Sequence, residues 1–522
     1  MIYSKPVISR QDFLRGFAAS LGLGAFGGLR LFAAPAGWKH SGKANLVVGI
    51  VSDTHLITDK EGRLAWLRGP DFNVLEAGNP AKYFAAALKY FRDENVDAVM
   101  HCGDITDSGQ IREMEAAAAL WRRAFPNDLA PDGHKVEKLF VTGNHDAEGI
   151  VMRWLKKTWP DSEERKRLSF TSDIPGVWKR IWGEKYEPVW HKTVKGYHFF
   201  GRNWETDWTD YQNLFADFDV GSQERPFFMV THSEDGRSDE AKLKKSEFRK
   251  SMANCRNAVT LRGHWHQSIT NWNMILFWLN DFTPEIQCPS CAVFGGLAPH
   301  HDGWIFKNHK AGVNAREIGK WRQGMVMRVY DDMIVFERKE FGGDGTAASL
   351  GADWVMPLER GTGNGEWGTG KHPFARDELK KKIGVPQFRE GAKLEVSLDR
   401  IDKINKIVKT SNNNPVNPVN PVQDNSASPR LRVKIPLADG NPDSRVYAYE
   451  VAVTGDAGSP TLYKSIYDAG CNLGIGREPG VTTLEIPSGE LPPGKELTVA
   501  VRPMTSLGTT GAEIVAKFQI EA

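Results

Sequence analysis

Five short apolar segments, each followed at once by polar residues, are the feature that most constrains the fold of this chain. They are Asn45–Val51, Val96–Met100, Lys138–Val141, Phe227–Val230 and Ala258–Leu261. Short runs rich in branched apolar residues are typical of strands buried on both faces. Apolar residues at helical spacing follow two of the segments, in Pro80–Asp93 and Arg112–Phe125. The alternation predicts an α/β fold with a buried sheet.

A hairpin is expected after the fifth segment. Two apolar runs, Met325–Tyr330 and Met333–Arg338, are separated only by Asp331 and Asp332. Two strand-like runs joined by a short polar turn indicate an antiparallel pair. We therefore expect an antiparallel portion that closes the sheet.

The residues that follow the five segments are of the kinds that bind metal ions. They are Asp53, His55, Asp104, Asn144, His232, His264 and His266, with His145 in addition. Ligands of open α/β sheets bind outside the carboxyl ends of the strands, so these residues can converge on one pocket. One divalent ion needs only three or four protein ligands. Seven nitrogen and oxygen donors fit two ions, with one carboxylate as a bridge, and they suit Zn, Mn or Fe rather than copper or an iron–sulfur cluster.

The ordered series D-x-H, G-D, G-N-H-D, H and G-H-x-H resembles the calcineurin-like metallophosphoesterases, over roughly residues 44–345. The resemblance implies a β-sandwich flanked by helices, and a dinuclear metal site. Its pattern puts Asp53, His55 and His266 on one metal and Asn144, His232 and His264 on the other. Asp104 would bridge the two metals.

The same resemblance implies a mechanism. Two cations about 3.5–4 Å apart lower the pKa of bound water towards roughly 7, and the resulting hydroxide attacks phosphorus in line. His145 would face the substrate, either donating a proton to the leaving oxygen or stabilising charge on the phosphoryl group. Asp146 would orient His145.

Asp107 limits the choice of branch within the family, because it stands where purple acid phosphatases place a tyrosine ligand. The stretch Gly103–Gly109 is similar to the cyclic-nucleotide phosphodiesterase-like branch. We expect a hydrolase of small-molecule or glycan phosphate esters, with phosphodiesters favoured. The alternatives are a phosphomonoesterase and a non-catalytic, metal-dependent binder of phosphorylated glycans. Trp265 is the candidate for substrate contact, and core packing is the favoured role of His101.

The N-terminus, residues 1–36, has the features of an export signal. Lys5, Arg10 and Arg15 precede a small-residue apolar stretch, and Ala34-Pro35-Ala36 supplies an A-x-A cleavage pattern. The region around Arg10 resembles a twin-arginine signal with Gln11 in place of the second arginine. A periplasmic or secreted protein is expected, the alternative being a cytosolic amphipathic arm.

Net charge and hydropathy limit the kinds of partner that can be expected for this chain. The net charge is +2, from 67 basic and 65 acidic residues, which gives no nucleic-acid-binding signature. No apolar run reaches the 18 or so residues of a transmembrane segment.

The C-terminal third changes character. Residues 346–385 are expected to connect the phosphoesterase domain to an all-β sandwich at 386–522 that is similar to fibronectin type III. An Asn-Pro-Val repeat at 410–428 is expected to form a poorly ordered loop inside the sandwich. No catalytic motif lies in this domain, so its expected role is spacing, or docking to a cell surface or polysaccharide.

Five cysteines are too few for a disulfide-based scaffold in a chain of 522 residues. Cys288 and Cys291 have C-x-x-C spacing, but a second such pair for zinc and a thioredoxin-like setting are both missing. Packing roles and a local disulfide remain the alternatives.

Overall fold

The computed structural model describes residues 42–56, 80–147, 169–204, 206–215, 218, 225–233, 258–264, 269, 275–276, 285–288, 310–311, 322–350, 353–358, 380, 384–399, 429–439, 446, 448–456, 458–466, 482–505 and 507–520. The chain divides into two compact units. The first comprises Met1–Ala298, Ile318–Ile383 and Cys471–Arg477. The second comprises Pro299–Glu317, Gly384–Gly470 and Glu478–Ala522.

The first unit contains a seven-stranded mixed sheet. Its strands are β1 (Leu46–Val51), β2 (Ala98–Cys102), β3 (Glu137–Val141), β11 (Gln323–Val329), β12 (Met333–Phe341), β13 (Ala347–Ser349) and β14 (Trp354–Pro357). The order is β13-β12-β11-β1-β2-β3, with β14 also on β12. β1 is parallel to β2, and β2 is parallel to β3. The predicted hairpin is confirmed, because β11 and β12 pair antiparallel.

A second, six-stranded sheet completes the α/β architecture of this unit. Its strands are β4 (Val189–Val194), β5 (Tyr197–Arg202), β6 (Phe227–Thr231), β7 (Ala258–Arg262), β8 (Ile275–Leu276) and β9 (Glu285–Gln287), in the order β4-β5-β6-β7-β9-β8. β5, β6, β7 and β9 run parallel to one another. The two sheets touch through side chains, since the indole of Trp190 donates to the carbonyl of Phe140.

Helices cover the first sheet where the apolar spacing predicted them. The described helices of this unit are Pro80–Asp93, Ile111–Ala124, Asn144–Ala147, Ile174–Trp182 and Trp208–Asn213, with 3₁₀ turns at Pro126–Asp128 and Phe170–Ser172. Helix Pro80–Asp93 buries Phe84, Leu88 and Phe91. Phe91 packs so closely on β1 that a Cβ at Gly49 would lie 2.4 Å from its ring. None of the helices in the described ranges combines the length and hydrophobicity that spanning a bilayer requires.

The segment 346–385, expected to be a connection, contains strands β13 and β14 of the first sheet. Both strands pair with β12, and Trp354 is fully buried. The sequence did not reveal them because strands of three and four residues are too short to establish a period of two. The first sheet therefore extends beyond the expected domain boundary at residue 345.

The second unit is rich in strands. A five-stranded sheet has the order β10 (Lys310–Ala311), β20 (Pro460–Ile466), β19 (Ala448–Thr454), β22 (Glu496–Met504) and β23 (Ile514–Gln519). The other strands are β15 (Gln387–Phe388), β16 (Glu395–Asp399), β17 (Arg430–Ile435), β18 (Ala438–Asp439) and β21 (Thr482–Pro487), and a 3₁₀ turn spans Ser488–Glu490. They form a three-stranded sheet β16-β17-β21 and a pair β15-β18. Alternate residues of β17 and β19 share one apolar core, which includes Val433 and Val451.

This strand content agrees with the all-β prediction for residues 386–522, while the fibronectin type III topology stays a prediction. Strand β10 lies inside the range expected for the phosphoesterase domain, yet it pairs with β20 of the second unit. The two units are therefore interleaved along the chain rather than strictly consecutive. The expected export signal and the loop 410–428 lie outside the described residues.

Candidate metal centre

Six of the seven predicted metal ligands lie at the carboxyl ends of parallel strands. Asp53 and His55 follow β1, Asp104 follows β2, and Asn144 follows β3. His232 and His264 follow β6 and β7. All are buried except His264, which is partly buried. The seventh, His266, lies outside the described residues, as does Trp265. Burying so many polar groups is costly unless they are paired with one another or with a cation.

Asp104 is common to two groups of donor atoms. Asp53, His55 and Asp104 form one group, and Asp104, His232 and His264 form another, with the donor atoms of each group within 4.8 Å of one another. A third group, without Asp104, consists of His55, Asp107 and His145. Asp104 Oδ2 is 3.1 Å from His232 Nε2 and 3.6 Å from His55 Nε2. The Asp104 carboxylate is therefore shared by these two groups, as a ligand that bridges two metals must be.

The second group converges tightly around the amide oxygen of Asn144. Asn144 Oδ1 lies 3.1 Å from His232 Nε2 and 3.0 Å from His264 Nδ1, and these two nitrogens are 3.3 Å apart. Ligands about 2.1 Å from a common metal are about 3.0–3.4 Å from one another in octahedral or tetrahedral geometry. The donor spacing and the mixture of imidazole, amide and carboxylate groups both fit a divalent transition-metal ion.

Neighbouring groups orient the ligands. The imidazole Nδ1 of His232 lies 2.7 Å from the carbonyl oxygen of Cys102, so Nδ1–H donates there and Nε2 keeps a lone pair towards Asn144. His55 Nδ1 lies 3.3 Å from the Asp107 carboxylate, which leaves its Nε2 facing Asp104. The Asp53 carboxylate accepts the backbone N–H of His264 at 3.0 Å.

The electrostatics of the site reflect this concentration of carboxylates and imidazoles. Burial would raise the pKa of Asp104, but the imidazoles of His232, His145 and His55 outweigh it and hold the pKa well below its usual value. Burial would lower the pKa of His232, but the carboxylates of Asp104 and Asp53 raise it to about 9. The carboxylates that favour a proton on His232 also favour a cation in the same place.

Backbone strain is concentrated at the site. Asp53, His55, Asp104 and His264 have φ values of 50°, 44°, 53° and 83°. The left-handed region costs a non-glycine residue about 1–2 kcal/mol. Conformations of this kind persist where the surrounding structure enforces them, and they cluster at functional sites.

Gly103 and Gly143 lie so close to candidate ligand side chains that neither position has space for a Cβ atom. A Cβ on Gly143 would lie 2.2 Å from Asp104 Oδ1, and one on Gly103 would lie 2.5 Å from His232 Nδ1. Gly103 also has a φ of 90°. Any larger residue at either position would displace a ligand side chain.

His145 lies beside the ligands and is held by three contacts. Its backbone N–H donates to Asp104 Oδ1 at 2.8 Å, and its ring Nδ1 lies 2.6 Å from the carbonyl oxygen of Asp107. Its ring meets that of His55 edge-on, with centroids 4.3 Å apart. Because Nδ1–H donates to a carbonyl, Nε2 is the nitrogen left for a substrate.

The hydrogen bonds that the structure describes for Asp146 do not include the ring of His145, which was its expected partner. The buried carboxylate of Asp146 accepts the backbone N–H groups of Ile105, Thr106 and Gly143 and the hydroxyl of Thr106. Burial, followed by the charge of Asp104, raises the pKa of Asp146 to about 6. Asp146 joins the loop after β2 to the loop after β3, and the described hydrogen bond of the His145 ring is with the carbonyl oxygen of Asp107.

Trp204 is a residue of the site that sequence reasoning missed. Its ring centroid lies 5.8 Å from that of His232 and 5.9 Å from that of His264, tilted by 31° to the latter. The backbone N–H of Trp204 donates to Thr142 Oγ1, and Asn203 Oδ1 accepts the backbone N–H of Thr142. It follows β5, in a region where many tryptophans and charges gave no distinguishing pattern.

His101 has the core role that was favoured for it. It is fully buried, and its Nε2 lies 3.0 Å from Thr54 Oγ1. Burial lowers its pKa to about 3. Its ring packs edge-on against Phe84 and Phe140.

Comparisons with known proteins give one family and several distant structures. Residues 46–268 match the calcineurin-like phosphoesterase family. A dimetal phosphatase from Danio rerio is 12% identical, with 61% of this chain and 100% of that chain covered and a TM-score of 0.32. A purple acid phosphatase from yellow lupin is 12% identical, with coverages of 60% and 53% and a TM-score of 0.34. A predicted phosphoesterase from Streptococcus pneumoniae is 11% identical, with coverages of 60% and 97% and a TM-score of 0.23.

No curated protein matches the chain. The family match begins at β1 and ends beyond β7, so it spans all the strand ends described above. The range of the match therefore includes the six candidate ligands that the structure describes. Residues 46–268 of this chain are a calcineurin-like phosphoesterase domain.

Proposed function

We propose that this chain is a phosphoesterase that uses two metal ions to hydrolyse phosphate esters. The main observation behind the proposal is the position of Asp104. Its carboxylate belongs to the group with Asp53 and His55 and also to the group with His232 and His264. A single-metal site would need no shared carboxylate. The match of residues 46–268 to the calcineurin-like phosphoesterases supports the same reaction class.

Each metal position has its own ligands in this proposal. Asp53 and His55 would hold one ion together with His266, and Asn144, His232 and His264 would hold the other. Zn, Mn and Fe suit these donors. When bound, such a pair supplies a nucleophile from water and neutralises charge on the phosphoryl oxygens.

The protein's own residues would then position the ester and move a proton. Nε2 of His145 faces away from the Asp107 carbonyl, and in the proposal it donates a proton to the leaving oxygen or hydrogen-bonds the phosphoryl group. Asp107 fixes this ring through its carbonyl and contacts the ring of His55 through its carboxylate. Asp146 and the motif glycines keep the ligand loops in place.

Phosphodiesters are the favoured substrates, on the strength of the stretch Gly103–Gly109. A phosphomonoesterase remains the alternative, as does a protein that binds phosphorylated glycans without hydrolysing them. Export belongs to the same proposal, and a protein isolated from its own cells with Met1 still in place would contradict it. In this proposal the second unit docks the protein to a cell surface or polysaccharide, or acts as a spacer.

The test of the proposed function uses full-length protein depleted of metal and reconstituted with Zn²⁺, Mn²⁺ or Fe²⁺. Turnover is measured on bis-nitrophenyl phosphate and on nitrophenyl phosphate, with metal content measured in parallel. We expect faster turnover of the diester, about two metals per chain, and loss of both with chelator. Asp104→Ala should lower metal content at both positions and abolish turnover. Gly489→Ala, at a glycine with no atom within 4 Å of an added Cβ, is the control.

Two results would contradict the proposal. One metal per chain in fully active protein would argue against a shared Asp104. A filled site with no turnover of any ester would favour the binding protein instead.

A further inference from the structure

Two buried cysteines meet beneath the metal centre. Cys102 is the last residue of β2, and Cys288 directly follows β9, so they belong to different sheets. Both are fully buried, and their sulfur atoms are 3.3 Å apart. Carbon–carbon van der Waals contacts are about 3.5–4.0 Å, and sulfur is larger than carbon, so this approach is close.

The backbone on both sides is held in place. Strand β2 is paired on both edges, with β1 and β3. The N–H of Cys288 donates to the carbonyl of Arg262 in β7 at 2.5 Å. A disulfide bond is about 2.05 Å long, so the two sulfurs need to approach by only about 1.2 Å, a distance that side-chain rotation can supply.

We propose that Cys102 and Cys288 form a disulfide that joins the two sheets of the phosphoesterase domain. The two thiols lose two protons and two electrons, and a sulfur–sulfur bond forms. The electrons reduce the disulfide of an oxidant, such as oxidised glutathione or a thiol oxidase, to two thiols. Because both side chains are fully buried in the folded chain, the bond forms during folding, before the sheets close over it.

The position of this bond connects it to the metal ligands. The carbonyl of Cys102 accepts Nδ1–H of His232 at 2.7 Å and the hydroxyl of Ser52 at 3.2 Å. Cys102 also lies two residues before Asp104. A covalent link at Cys102 would therefore anchor the strand end from which Asp104 and His232 are both positioned.

This pairing differs from the C-x-x-C disulfide that the sequence left open. Cys291 lies outside the described residues, whereas Cys288 already has a sulfur partner at 3.3 Å. The proposed bond would enclose more than 180 residues of chain. Cross-links that close long loops restrict the unfolded chain most in the entropic account of disulfide stability.

The experiment uses the full chain folded in a glutathione redox buffer. The protein is denatured without reductant, its free thiols are alkylated, and peptides are mapped by mass spectrometry. We expect one cross-linked peptide pair that contains Cys102 and Cys288. The pair should persist in the matched control Cys291→Ser and disappear in Cys288→Ser. Reducing the wild-type protein should lower its Tm by about 5–15 °C.

The outcomes separate this proposal from the proposed function. Quantitative alkylation of Cys102 and Cys288 in oxidised protein would overturn the disulfide, as would a cross-link between Cys288 and Cys291. A Tm that does not change on reduction would overturn its stabilising role. Peptide mapping needs no enzymatic activity, so an inactive protein with the bond intact would count only against the proposed function.

Discussion

Replacing Gly143 by alanine should disable the metal centre without adding or removing any polar group. The added Cβ would lie 2.2 Å from Asp104 Oδ1 and 2.5 Å from the backbone nitrogen of Asp104. Ordinary contacts of a Cβ are 3.4 Å or longer. The carboxylate must therefore move by about 1 Å or more, or the loop that carries Asn144 must move away from it.

The size of the effect follows from the bridging role that we propose for Asp104. A displacement of about 1 Å at a catalytic group can reduce the rate 10²-fold. Asp104 belongs to both donor groups, so we expect Gly143→Ala to lower turnover at least about 10²-fold and to lower metal content at both positions. Overpacking a close-packed interior costs about 1–3 kcal/mol, so the Tm should also fall by several degrees.

The assay combines elemental analysis, steady-state kinetics on an aryl phosphodiester and thermal unfolding with and without chelator. Gly489→Ala is the matched control, since nothing lies within 4 Å of an added Cβ there. Its metal content, rate and Tm should equal those of the wild type. If Gly143→Ala keeps full metal content and turnover, the close approach of the two loops is not required for the site.

Three further predictions test other parts of the structure. His145→Ala should keep near-normal metal content and lose about 10²–10⁴-fold in rate, with a smaller loss for nitrophenolate than for an alkoxide leaving group; an equal loss for both would exclude proton donation. Trp204→Ala should raise KM for an aryl phosphodiester more than for a dimethyl diester at unchanged metal content, because its ring lies beside those of His232 and His264; equal changes for both esters would exclude substrate contact. Burial, reinforced by the charge of Glu337, raises the pKa of Asp353 to about 6, whereas the pKa in the unfolded chain is about 3.8. The contribution of Asp353 to stability is therefore present below pH 4 and is lost as the pH rises through 6. The change in Tm caused by Asp353→Asn should therefore be more favourable at pH 7 than at pH 4. The same change in Tm at both pH values would contradict this sign.

The strands that carry ligands could be predicted because burial on both faces makes them continuous apolar runs. The expected segment Asn45–Val51 became β1 at Leu46–Val51, and the others shifted by only a few residues. Strands β4 and β5 were missed. In β4 only alternate residues such as Trp190 and Val194 are buried, and exposed polar residues such as His191 lie between them. A half-buried edge strand with aromatic and charged residues gives a weak signal.

The convergence of the candidate ligands was predictable for a topological reason. Within each sheet the parallel strands put their carboxyl ends at one edge, and the ends of β1–β3 in the first sheet meet those of β6 and β7 in the second, so residues far apart in sequence converge. His264 and Asp53 are separated by 211 positions, yet the N–H of one donates to the carboxylate of the other. Trp204 could not be found in this way. Its place depends on the loop after β5 and on contacts with Thr142 and Asn203, which no short motif encodes.

The hydrogen-bond partners of Asp107 and Asp146 show what a sequence motif alone cannot predict. Adjacency in sequence made Asp146 the natural partner of His145, but the two residues lie on one turn of the short helix Asn144–Ala147. Successive side chains on a helix point about 100° apart, so neighbours in sequence do not face each other. Asp146 turns towards the loop after β2, from which it accepts three hydrogen bonds, and it accepts a fourth from the backbone N–H of Gly143 in the loop after β3. That leaves the carbonyl of Asp107 for His145 and its carboxylate for His55, so one residue positions both a candidate metal ligand and the candidate proton donor.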